Sequence, residues 1–103
     1  MLVTGRTDRF ADPHRTGRLT GGHEALRSLP GSGCALGTAL LAALATGTEP
    51  FEAAGAAVGL FAAASARAGT RACGPGSFRV AFLDALGEAR TGGLPLPEAE
   101  GTP

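Results

Sequence analysis

The chain has 103 residues, no formal net charge, and nine basic residues that are all arginine. Such a length holds one small domain with a modest core, and the neutral balance excludes a broad field for nucleic acid or acidic membranes. Without lysine, a P-loop lysine and Schiff-base chemistry are also excluded.

Leu2-Val3-Thr4-Gly5 reads as a strand end entering a turn. Residues 7–20 read as a β-hairpin around Asp12-Pro13-His14, ended by Gly21-Gly22. Residues 23–30 form a linker with room for a short helical turn. A first helix is expected from Cys34, because Leu36, Leu40, Leu41 and Leu44 share one helical face. Gly47 suits its end. Glu49-Pro50 starts a second helix, with proline at the first helical position and acid near the positive end of the dipole. It is expected to stop at Gly69-Thr70. Gly74-Pro75-Gly76-Ser77 reads as a turn in which Ser77 caps a third helix to Ala89, with Phe78, Phe82 and Leu86 as its apolar stripe. Residues 91–103, rich in Gly, Pro and Glu, are expected to be disordered.

Residues 53–66 are almost uncharged, and Gly55 and Gly59 form a GxxxG. The stretch falls short of the ~20 residues a membrane span needs. A buried helix, with the glycines admitting a neighbouring helix, is the expectation. Arg67, Arg71 and Arg79 are expected on a solvated surface. Cys34 and Cys73 make no CxxC, and neither histidine stands at ligand spacing with them, so no residue is assigned to a metal. No basic-then-apolar leader is seen, and a cytoplasmic chain with free thiols is expected.

Chemistry concentrates at Gly31-Ser32-Gly33-Cys34, just before the first helix. A helix start leaves backbone N–H groups unpaired. Two glycines let the loop wrap an anion such as phosphate. The dipole contributes only about 0.3–1 kcal/mol at an exposed site, whereas one aimed donor contributes ~3–4 kcal/mol to a developing charge. Directed N–H groups therefore dominate. Cys34 at this end is a candidate proton acceptor for a substrate hydroxyl; the alternative is a buried, inert cysteine.

Several stretches carry a resemblance. Thr4-Gly5-Arg6-Thr7-Asp8, Gly22-His23, Gly31-Ser32-Gly33-Cys34-Ala35-Leu36, Glu49-Pro50-Phe51-Glu52-Ala53-Ala54 and the run from Gly74-Pro75-Gly76-Ser77-Phe78 to Leu86 resemble, in order and spacing, the motifs of hydroxyethylthiazole kinases. These are thiamine-salvage members of the ribokinase-like kinases. The likeness covers residues 3–89, and the cysteine in the anion loop sets this family apart from relatives with aspartate there.

The resemblance implies an α/β fold: the C-terminal part of a three-layer α/β/α sandwich, here a strand and hairpin followed by three main helices. Residues 1–90 would be the kinase portion and 91–103 the tail. It implies ATP as co-substrate, Mg²⁺, and phosphorylation of the hydroxyl of 4-methyl-5-(2-hydroxyethyl)thiazole. It also implies a trimer with sites at subunit interfaces. By motif match Cys34 takes the catalytic position, Gly31 contacts the thiazole, Ser32 and Gly33 supply anion-hole amides, and Thr4 contacts ATP. Nucleic acid and membrane partners are not implied.

Ser32 replaces the usual threonine, Glu49 the usual aspartate (a poorer cap), and Gly22 the usual asparagine. The family's N-terminal portion has no counterpart in the sequence, so strand edges are expected to lack partners. Two readings follow: a kinase, as a piece of a larger enzyme or as half of a split one with a complementary N-terminal chain, and a non-catalytic remnant that acts as a helical association domain.

Overall fold

Asp12 shapes the hairpin. Its Oδ1 accepts the backbone N–H groups of His14 and Arg15 at 2.8 and 2.7 Å, which closes the turn around Pro13. The computed structural model describes residues 1–90, 92–94 and 100–102. The hairpin strands are β2 (Thr7–Ala11) and β3 (Thr16–Thr20), antiparallel with Thr7 opposite Thr20. β1 (Leu2–Val3) pairs with β2, and β4 (Glu100–Thr102) pairs with β3. Among the described residues the sheet therefore runs β1-β2-β3-β4, antiparallel throughout.

Alternation sets the two faces of this sheet. Phe10, Gly17 and Leu19 are buried, while Arg9, Arg18 and Thr20 are exposed. Three helices follow a 3₁₀ turn at Glu24–Ser28: α1 (Ser32–Ala45), α2 (Pro50–Arg71) and α3 (Pro75–Ala89). α2 is the centre, with α1, α3, β2, β3 and the 3₁₀ turn all packed on it. Its buried residues are mostly alanine, with Val58, Gly59, Phe61 and Ser65 among them. Small side chains let several neighbours approach one helix closely. Phe61, Phe78 and Phe82 fill the space between α2 and α3, with ring centroids 5.3 and 6.3 Å apart. Burying each such ring stabilises the fold by about 1.5–3 kcal/mol.

Gly55 does not admit a neighbouring helix, as the GxxxG spacing suggested. It lies under the Phe10 ring of β2, 3.3 Å from where its Cβ would stand. α2 also overruns its expected stop and continues to Arg71. Gly69 is retained inside the helix because a Cβ there would meet the His23 ring at 2.2 Å. Ser77 is the third residue of α3 and caps from within, its Oγ accepting the Cys73 and Gly74 N–H groups at 2.8 and 3.0 Å. Pro75, not Ser77, starts the helix.

The leucine stripe of α1 is only partly covered. Leu36 is buried, whereas Leu41 and Leu44 are 67% and 37% exposed. Of the segment expected to be disordered, Leu94 is buried and Glu100–Thr102 form β4; residues 91, 95–99 and 103 lie outside the described residues. The chain thus holds a sheet with helices on one face, the C-terminal part of an α/β sandwich. A further helical layer is not among the described residues. Nor is any described helix long and apolar enough to cross a membrane.

Arg67 and Arg71 are not simply solvated. Both donate to Glu88 of α3, Arg71 at 2.6 Å, and Arg67 also donates to Gly93 O at 2.6 Å. At the other end of α2, Glu49 accepts the Phe51 and Glu52 N–H groups at 3.2 Å each. Arg15 reaches Glu49 at 2.7 Å and lies 4.3 Å above the Phe51 ring, tying hairpin to helix.

These partners shift the carboxylates. Arg71 and then Arg67 hold Glu88 below its ordinary value of 4.5. The His14 N–H, with Arg15, holds Asp12 below 3.8. Burial pushes Glu49 up, but the Phe51 N–H, Arg15 and the Glu52 N–H together outweigh it and leave it lowered. A carboxyl depressed in the folded state contributes stability above its unfolded value and loses it as pH falls through the folded one. The melting temperature is therefore expected to fall modestly as pH drops below the ordinary values of these groups, 4.5 for Glu49 and Glu88 and 3.8 for Asp12. In thermal scans monitored by circular dichroism, Glu88→Gln should flatten that fall. An unchanged slope would remove Glu88 from the account.

Candidate anion-binding site

The loop before α1 is a type II turn. Pro30 and Gly31 occupy its centre, Gly31 has φ 83° and ψ 1°, and the Ser32 N–H closes on Leu29 O at 3.2 Å. Only glycine takes this conformation without cost. The turn delivers the chain directly into α1, with Gly31 as N-cap. Ser32 has its amide engaged in the turn. Among the described residues, no partner is seen for the Gly33 and Cys34 amides, which form the open end of the helix. The open amides at this helix start are thus those of Gly33 and its neighbour Cys34, while the Ser32 amide, expected among the anion-hole donors, is spent in the turn.

This helix start borders a cavity of about 550 Å³. Thr4, Arg6, Asp8, His23, Ser32 and Gly33 lie on its wall, with Arg27 beside them and Phe61 of α2 at its apolar side. Strand end and helix start, distant in sequence, face one space. Three of the expected site residues, Thr4, Ser32 and Gly33, meet there. Gly31 and Cys34 stand on the same helix start but do not line the cavity. Cys34 is a free thiol and exposed, where the alternative held it buried.

Ser65 fixes the loop that leads into the site. It is fully buried, donates to Ala62 O and accepts the His23 N–H, both at 3.1 Å. Gly22 has φ 81°, and a Cβ there would lie 2.7 Å from Ser65 Oγ. Glycine in place of the usual asparagine therefore lets the loop close onto α2. His23 uses Nδ1 to accept the Ala25 N–H at 3.1 Å and packs its ring 5.5 Å from Phe78. It is a hydrogen-bonding loop residue. Gly74-Pro75-Gly76-Ser77 lies away from the cavity and serves as a helix start.

Sequence reasoning gave no role to Asp8, Arg6, Arg27 or Ser65. A signal existed for Asp8, since an aspartate three residues after a turn glycine is placed to accept a local N–H. Gly5 N donates to Asp8 Oδ1 at 3.2 Å. Burial pushes the Asp8 carboxyl above its ordinary value, only partly countered by the Gly5 N–H and the field of Arg27. Nothing in residue spacing announced that Arg6 and Arg27 converge on one wall.

A glycine-rich helix start with open amides, facing a polar cavity at a strand end, is how α/β proteins hold phosphate groups. The comparisons make this specific. The model of the hydroxyethylthiazole kinase family matches residues 1–91, and the chain belongs to that family. Relatives named hydroxyethylthiazole kinase include one from Cereibacter sphaeroides, 44% identical over 86 residues, covering 84% of this chain and 32% of the relative. One from Gemmatimonas aurantiaca is 45% identical, with 84% and 31% covered. The solved hydroxyethylthiazole kinase structure from Pyrococcus horikoshii superposes with a TM-score of 0.84 at 32% identity, over 99% of this chain and 40% of that one. The chain spans about a third of the length of these curated relatives.

Proposed function

We propose that this chain forms part of a kinase that transfers the terminal phosphoryl group of ATP to the hydroxyl of 4-methyl-5-(2-hydroxyethyl)thiazole in thiamine salvage. The observation that carries the reading is the open helix start, with the Gly33 amide on the cavity that Thr4 also lines and the Cys34 amide next in the chain. The cavity suits a phosphate chain: Arg6 and Arg27 supply positive charge, while Ser32 and Thr4 supply hydroxyls. ATP supplies the transferable phosphoryl group. For an accompanying Mg²⁺ ion, the wall offers the carboxylate of Glu24, and such an ion is commonly held by one or two carboxylates plus phosphate oxygens.

Phosphoryl transfer depends mostly on positioning and charge stabilisation. The Gly33 and Cys34 amides face developing negative charge without reorganising. Cys34, exposed at the same turn, accepts the proton of the substrate hydroxyl, and Gly31 borders the thiazole. The family trimer and a cytoplasmic setting belong to the same proposal. A second reading, one part of a split kinase completed by another chain, is also consistent with the matched relatives.

The test is ADP release from ATP and Mg²⁺, with and without the thiazole alcohol. Thiazole-dependent release is expected, and Cys34→Ala should lower it by about 10²-fold without abolishing it. No release from soluble, folded protein would sink the first reading for the isolated chain. A Cys34→Ala variant with full turnover would remove the thiol from catalysis.

A further inference from the structure

We infer that Asp8 is a positioning residue of the cavity: its carboxylate holds the Gly5 N–H and so fixes the Thr4–Gly5 strand end facing the anion-binding helix start. This rests on the kinase reading insofar as it names the ligand, a nucleotide phosphate.

The geometry singles out Asp8. β1 is only two residues long and ends at Val3. From there the chain crosses to β2 through Thr4, Gly5 and Arg6, all exposed. Among the described residues, the crossing is tied by the Gly5 N–H, which donates to Asp8 Oδ1 at 3.2 Å. Asp8 itself is rigidly placed, second in β2 and opposite Leu19 of β3. It lies on the inward side of the strand with Phe10, half-buried on the cavity wall. A rigid strand thus holds an otherwise loosely tied glycine turn at the mouth of the site.

The position also departs from what stability alone would select. Burial works against the Asp8 carboxylate, although an exposed polar residue on the outer face could have joined the same strands. Arg6, Arg27, His23 and Glu24 line the same cavity, and the charge of Arg27 acts on Asp8. The bond to Gly5 has a function in the loop it shapes, because Thr4 and Gly5 both border the cavity.

Three variants separate geometry from charge. Asp8→Asn keeps an acceptor at the same reach and removes the charge. Asp8→Glu keeps the charge and moves the acceptor by one methylene. Asp8→Ala removes both. Two quantities are read by NMR on the folded chain: the affinity for ATP, from amide shifts of Gly5 and Gly33, and hydrogen exchange at the Gly5 amide.

Loss of a hydrogen bond to a charged group should weaken ATP binding about tenfold or more in Asp8→Ala and Asp8→Glu. Asp8→Asn should stay within about threefold of the wild type. Gly5 exchange should accelerate in the first two variants and not in the third. Weakening by Asp8→Asn as large as by Asp8→Ala would overturn positioning in favour of charge. Wild-type binding in all three would overturn the inference and leave the kinase reading standing. If the wild-type chain shows no ATP-induced shifts, the kinase reading of the isolated chain fails separately. Exchange then decides: faster exchange in Asp8→Ala and Asp8→Glu alone supports the fixed turn, and unchanged exchange overturns it. Should Asp8→Ala not fold, the contrast between Asp8→Glu and Asp8→Asn carries the same decision.

Discussion

Gly17→Val is expected to destabilise the fold by about 2–3 kcal/mol or more. For a domain of this size that corresponds to a fall of roughly 10–20 °C in melting temperature. Gly17 pairs with Phe10 across the sheet, and a Cβ would lie 2.5 Å from two atoms of that ring. The ring cannot simply swing aside. Phe51 stands 4.9 Å away between centroids, and Gly55 lies beneath it. Valine favours strands as a residue type, so propensity predicts the opposite sign. The check is a thermal scan of Gly17→Val alone and combined with Phe10→Leu. The second change should recover part of the loss, because it removes the ring edge that valine strikes. A Gly17→Val protein as stable as the parent would refute the ring-over-glycine account.

Gly33→Pro is the second large effect, this time on chemistry. Proline is tolerated in the first turn of a helix, where the missing N–H has no intrahelical partner. A Cβ on Gly33 meets nothing within 4 Å. The substitution therefore deletes one open amide with little damage to α1. Loss of an aimed donor should lower turnover by about 10²–10³-fold. Gly33→Ala keeps the amide and serves as control, with stability near or slightly above the parent. Equal turnover in Gly33→Pro and Gly33→Ala would show that this amide does not face the developing charge.

Much of the fold is legible in the residues. Asp12-Pro13 predicts the hairpin turn, Pro50 the start of α2, and the Pro30-Gly31 step sits where a type II turn requires glycine. Local chemistry decides each of these, so local sequence reveals it. What stays hidden depends on contacts between distant segments. Gly69 looks like a helix end because glycine commonly is one, yet its role is to make room for His23. Gly55 and Gly59 have the spacing of a helix–helix contact, but Gly55 receives an aromatic ring from the sheet. The leucine period of α1 predicts a helix correctly and says nothing of what covers Leu41. The site divides in the same way. Gly31, Ser32, Gly33 and Cys34 were readable as a helix start. Asp8, Arg27 and Ser65 join them only through the crossing of strand, loop and α2.

The central place of α2 also bears on how the chain reaches this fold. α2 and α3 are joined through Ala72, Cys73 and Gly74, and they share the richest packing in the molecule. Their mutual contacts close short loops and cost little chain entropy. The sheet then has to find one face of a helix pair that can already exist. Stopped-flow refolding should report this order. Val58→Ala, at the buried centre of α2, should slow refolding, whereas Leu19→Ala in β3 should act mainly by speeding unfolding. In that order the expected nucleus and the candidate anion site share α2, through Phe61 and Ser65, and the cavity wall would be assembled onto a helix pair formed before it.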